Sequence, residues 1–107
     1  MIEGQFYRGV IYSAYLEHVG DEKLYVVVSN NGRNRSLDTA LATRITTSRK
    51  PQISSIVPIQ PGEPVHGSVL CDDIELLYPE DVRHSPGAFS PAMMRRINDG
   101  LQAAFGL

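Results

Sequence analysis

Hydrophobic positions along this chain recur at two spacings, and the spacing changes once. From Arg8 to Leu77 they come in short β-branched and aromatic runs broken by glycine, proline and asparagine, the pattern of strands and turns. RGVIYSAYL (Arg8–Leu16) predicts a first strand after a loosely held lead-in over Met1–Tyr7. The brief EHVGDEK turn (Glu17–Lys23) joins it to KLYVVVSNN (Lys23–Asn31), so the two should form an antiparallel hairpin. The polar stretch from Asn30 to Ser36 reads as a loop. ALATRITTSRK (Ala40–Lys50) then alternates as a third strand ending near Thr47. A side-chain period of two sends Leu41, Thr43 and Ile45 to the core and Ala42, Arg44 and Thr46 to the opposite face.

The later segments are weaker strands. Gln52–Gln60 is short and carries a proline, which places it at an edge or ends it early. PGEPVHG (Pro61–Gly67) is turn chemistry, and Ser68–Leu77 is a strand kinked near its two aspartates. Tyr78–Phe89, with two prolines and a glycine, predicts a connection holding at most a helical turn or a brief strand. After it the spacing becomes helical. Ser90 is an N-cap with Pro91 at the first helical position; Met93, Met94, Ile97, Leu101, Ala104 and Phe105 form one face, and Gly106 is the stop. The expected fold is one mainly β domain over residues 1–107, an antiparallel small barrel closed by a C-terminal amphipathic helix.

Composition narrows the function. At 107 residues the chain supports one modest core. It has no apolar run near the roughly 18 residues of a membrane span and no signal-like N-terminus, so a cytoplasmic location is expected. Cys71 stands alone, and the three histidines are scattered without ligand spacing, so neither a disulfide nor a structural metal site is expected. Net charge is −2, which gives no global pull on phosphate polymers. Locally, however, Arg33, Arg35, Arg44, Arg49 and Lys50 gather with a single acid, Asp38, among them. Folding onto one face would make them a polyanion site; otherwise they are a solvated loop.

The ordered set RGVIY, a glycine-containing turn, a basic residue before VVVSN, a strand ending in ITTS, a DDIELL strand and a SPxMMxxI helix resembles the MazF/PemK toxin endoribonucleases, from about Arg8 to Leu107. The resemblance implies an SH3-like, CcdB-like barrel that forms a homodimer. It implies a sequence-specific enzyme that cuts single-stranded mRNA without metal or other cofactor. There the ribose 2′-OH attacks the adjacent phosphate, leaving a cyclic phosphate and a 5′-OH, and a cognate antitoxin neutralises the enzyme in its RNA groove. Carried over by position, the family's threonine is Thr46. Its arginine falls on Lys23, because the usual Arg-Pro is Lys23-Leu24 here.

That departure matters because lysine keeps the charge but loses the planar fork that grips two phosphate oxygens. Arg44, two residues before Thr46 on the same strand face and about 7 Å away by strand rise, is the expected replacement. Thr46, Lys23 and Arg44 are therefore the catalytic candidates. Arg33, Arg35, Arg49 and Lys50 are candidate RNA contacts. Glu22 is grouped with them and is also a possible general base, against the plainer reading of a loop acid. Tyr12, Tyr15 and Tyr25 suit either base stacking or core packing, and His18 is an exposed turn residue. Ser29 and Asn30 suit turn formation. A CcdB-like gyrase poison using the AAFGL tail, or a non-catalytic SH3-like binding module, are the alternatives.

Overall fold

The computed structural model describes residues 5–107, so the expected lead-in lies outside the described residues as far as position 4. Its end is not loose. Phe6 is buried edge-on against Tyr12, ring centroids 5.3 Å apart.

The hairpin forms as its turn chemistry dictates. β1 (Val10–Leu16) and β2 (Asp21–Val27) pair antiparallel, with Ile11 opposite Val26 and Leu16 opposite Asp21. β3 (Ala40–Thr46) adds to β2, and β5 (Ser68–Leu77) adds to β3. The short β4 (Ile56–Pro58) lies outside β5, with its proline on the sheet's margin as expected. β6 (Val82–Ala88) closes the other side along β1, giving the order β4-β5-β3-β2-β1-β6. The two flanks approach each other: a Cβ on Gly87 would lie 3.1 Å from Pro64, and Glu63 accepts hydrogen bonds from the Ser90 backbone N–H at 2.9 Å and hydroxyl at 2.6 Å. The sheet thus curls into the expected mainly β barrel. The kink anticipated at the aspartates is present. Thr43 faces Ile74 while its neighbour Arg44 faces Leu70, so residues 71–73 bulge from the ladder.

Curling gives the sheet two cores rather than one. Tyr12, Tyr25, Val27, Ala42, Leu77 and Val82 fill its inner face. Ile11, Val26, Ile45 and Val69 on the outer face pack under Met93 and Ile97 of α2 (Pro91–Phe105), each fully buried aliphatic contributing about 1.5–3 kcal/mol. Ser90 caps that helix, accepting the Met93 N–H at 3.1 Å, and Gly106 ends it at φ +71°. Gly100 is where α2 sits closest to the sheet: a Cβ there would fall 2.5 Å from Val57 Cγ2 and 2.7 Å from Cys71 Sγ. Gly100→Ala is therefore expected to destabilise by about 1–2 kcal/mol, overpacking exceeding the roughly 1 kcal/mol gained in helix propensity. Urea denaturation checks this; a variant more stable than wild type would show that α2 does not seat so tightly.

Four expectations are corrected. The loop from Asn30 to Ser36 is a short helix, α1 (Asn31–Leu37); it shows no apolar periodicity because one polar residue, Asn34, anchors it. Asn34 is fully buried and donates to the Ser29 carbonyl at 3.0 Å, while the Asn30 side chain caps the helix through the Arg33 N–H at 2.8 Å. Leu41 does not face the core. It is 39% exposed and Ala42 is buried, since the inner face carries its own core and α2 covers the outer face only around Ile45. Tyr78–Phe89 is not mainly a connection: after a 3₁₀ turn at Pro79–Asp81 it forms the seven-residue β6, whose Pro86 is tolerated at the ladder's edge. Phe105, placed on the apolar face of α2, is exposed where the helix runs past the sheet.

Candidate active site

The register of β2 and β3 brings the catalytic candidates together. Leu24 stands opposite Ile45 and Tyr25 opposite Arg44, so one further step sets Lys23 beside Thr46. Lys23 is a strand residue, because β2 begins at Asp21. With a period of two, Lys23, Tyr25, Arg44 and Thr46 share one face. Where that face emerges from the inner core it opens into a cleft of about 210 Å³, lined by Lys23, Arg44 and Thr46 together with Glu22, Thr47 and Ser48.

Each side chain has a distinct state there. Thr46 is only 8% exposed, and its hydroxyl oxygen accepts the Ser48 N–H at 3.1 Å. That bond fixes the oxygen and leaves the hydroxyl proton free to donate. Arg44 is half-buried; its Nε is buried without a hydrogen-bond partner, and the guanidinium makes no ion pair among the described residues. A buried donor left unpaired costs about 1–3 kcal/mol, and the charge of the same guanidinium stays available to an anion entering the cleft. Lys23 is already engaged, with Nζ 3.4 Å from Asp21 Oδ2. Asp21 is held below the usual carboxylate range, first by the Glu22 backbone N–H and then by Lys23. Beneath them the Tyr25 phenol is pushed up to about 12, chiefly by burial, with Glu75 adding to the rise and Arg44 opposing it.

The other candidates disperse. Arg33 is tied down, donating to the Thr39 carbonyl at 2.8 Å and to its hydroxyl at 3.3 Å. Arg35 is exposed at the end of α1, away from the cleft lining. Arg49 and Lys50 are exposed and line a second, larger groove. Glu22 is no loop acid: it lies in β2, where the Ser13 hydroxyl donates to its carboxylate and His84 of β6 approaches to 3.7 Å. Tyr12 and Tyr25 are core residues, whereas Tyr15 is partly exposed with the Arg83 guanidinium 5.8 Å over its ring. His18, exposed in the hairpin turn, reaches Glu75 of β5 at 2.9 Å. Ser29, expected in a turn, instead accepts the Leu41 N–H of β3 at 3.0 Å.

Two residues escaped sequence reasoning. Arg8 donates through Nε to the Val28 carbonyl at 2.8 Å and through a terminal nitrogen to the Asn98 side chain, binding the strands to α2. His84 sits beside Glu22 only because β6 exists, which the proline and glycine concealed. Among the described residues, no group of three or more His, Cys, Asp or Glu is placed to hold a metal ion, and no helix is long and apolar enough to cross a membrane.

The PemK-like, MazF-like toxins of type II toxin–antitoxin systems match residues 7–105. The chain belongs to this family. Among PemK/MazF relatives, endoribonuclease MazF4 of Mycobacterium tuberculosis and endoribonuclease MazF1 of Mycobacterium bovis are each 37% identical over 100 residues, covering 94% of this chain and 92% of theirs. A mycobacterial endoribonuclease solved in complex with its cognate antitoxin superposes with a TM-score of 0.88 at 36% identity, covering 95% of this chain and 96% of that one. A MazE–MazF complex from Deinococcus radiodurans, 17% identical over 98% of this chain and 99% of that one, has a TM-score of 0.77 and shows the PemK/MazF fold alone.

Proposed function

We propose that this endoribonuclease toxin cuts single-stranded RNA at short sequence motifs without a metal ion, using Arg44 and Thr46 on β3 with Lys23 on β2. The observation that carries the reading is Arg44, half-buried and without an ion pair among the described residues, lining the same cleft as Thr46. A phosphodiester seated there accepts hydrogen bonds from both. The neighbouring ribose 2′-oxygen attacks phosphorus and loses its proton as the 5′-oxygen leaves and gains one. The products are a 2′,3′-cyclic phosphate and a 5′-OH. Negative charge builds on the non-bridging oxygens during attack, and preplaced donors in a partly dry cleft stabilise that charge most. Lys23, shared with Asp21, adds positive charge at the cleft's other wall.

The same reading includes a homodimer, a cytoplasmic site of action and a cognate antitoxin segment, acidic and apolar, that orders on contact. Leu41 and Leu76, paired across β3 and β5 and both exposed, give an apolar surface of the kind a protein partner covers.

The test is digestion of a long unstructured RNA in EDTA with the ends mapped. Wild type should give discrete cuts bearing 5′-OH termini. Thr46→Ala should slow cutting by about a hundredfold, with Thr46→Ser recovering most of it. Activity that vanishes in EDTA and returns with a divalent ion would refute the metal-free chemistry, and intact RNA with folded protein would refute the nuclease reading.

A further inference from the structure

The cleft at Thr46 is not the only opening on this side of the molecule. A groove of about 750 Å³ adjoins it, and Thr47 and Ser48 line both. One wall is the segment after β3, with Arg49, Lys50 and Ile53; the other is α2, with Arg96 and Asp99. Arg49, Lys50 and Arg96 are exposed and form no ion pair among the described residues. Three cations thus face a single acid in a channel that continues from the catalytic candidates.

Resting on the nuclease reading above, we infer that Arg96 and Asp99 of α2 help select the nucleotides that flank the cut linkage. The chemistry fits single-stranded RNA on three counts. The cations suit successive backbone phosphates. Ile53, 54% exposed at the rim, and Val57 on the floor offer an apolar surface to a base face. Asp99 repels phosphate but accepts from exocyclic amines, so its end of the groove takes a base edge. An acidic peptide would use the cations but leave Asp99 opposed to it.

Binding can be read without cleavage. The probe is a 2′-O-methyl RNA pool of roughly 12 nucleotides carrying photoreactive thiouridine, which the enzyme cannot cut because the attacking hydroxyl is blocked. Crosslinks should map to Arg49–Ile53 and to α2 around Arg96. By fluorescence anisotropy, Arg96→Ala should weaken binding about five- to tenfold and lower the slope of log affinity against log salt by about 0.7. Arg95→Ala, an exposed neighbour outside the groove, should change neither. Arg96→Lys should restore the slope. Crosslinks that avoid the groove, or equal losses from Arg95→Ala and Arg96→Ala, would overturn the inference. So would an acidic peptide that protects the groove while RNA stays bound, since the groove would then serve a protein. Cleavage of long RNA is scored separately. Uncut RNA that still crosslinks here removes the nuclease reading and leaves the groove standing; cut RNA with affinity indifferent to Arg96 does the reverse.

Discussion

Arg44→Ala is expected to slow RNA cleavage by about 10²–10³-fold, while Lys23→Ala costs only about tenfold. The difference follows from how each charge is committed before substrate arrives. Lys23 already faces Asp21, so substrate competes with an existing, exposed ion pair. Arg44 makes no ion pair among the described residues, and its planar fork can engage two phosphate oxygens at once. Arg44→Lys should therefore recover only part of the loss. Single-turnover rates on a fixed RNA, with circular dichroism to confirm folding, decide the matter. If Lys23→Ala proves the more damaging, the guanidinium is not the principal stabiliser and the ammonium has taken the family arginine's place.

The second large effect should be on stability. Gly67→Ala is expected to cost about 3 kcal/mol or more and to lower the melting temperature by at least roughly 12 °C. Gly67 precedes β5 at φ +117°, outside the ordinary range of L residues. Its missing Cβ would fall 2.1 Å from the Thr46 carbonyl oxygen, a backbone atom that cannot swing aside. Thr46 and Ser68 stand opposite each other in the ladder, so relieving the clash must part β3 from β5 beside the reactive hydroxyl. Thermal and urea denaturation measure the loss. A change within about 0.5 kcal/mol would mean that Gly67 is not so confined.

The strands of the hairpin, β3 and α2 were legible because each carries a local signal: β-branched runs, Gly20 in a turn, and Ser90-Pro91 before a helical stripe. That Arg44 and Thr46 share a strand face was legible for a similar reason, since period-two alternation alone puts them there, but not that this face lies over a core of its own. What failed depended on contacts distant in sequence. α1 is fixed by Asn34 bonding to Ser29, and no hydrophobic pattern can announce a helix anchored by an amide. β6 exists because β1 offers it a ladder, which outweighs its Pro86 and Gly87. Leu41 was misplaced because strict alternation presumes a single core on the apolar row's side, whereas Ala42's side carries a core of its own and α2 covers Leu41's side only around Ile45. The loop arginines could not be sorted by charge alone; only the bond from Arg33 to Thr39 separates it from Arg49 and Lys50.

The two-sided sheet also sets where this protein is free to change. With apolar clusters beneath and above, a reactive group in mid-strand would be entombed, so polar chemistry is confined to the margins where strands give way to connections. Lys23 lies near the start of β2 and Arg44 and Thr46 near the end of β3, and the groove beside them is built largely from a connecting segment and one side of a helix. New substrate preferences can therefore arise by rewriting a few border residues, while the interior that makes the chain fold is left alone.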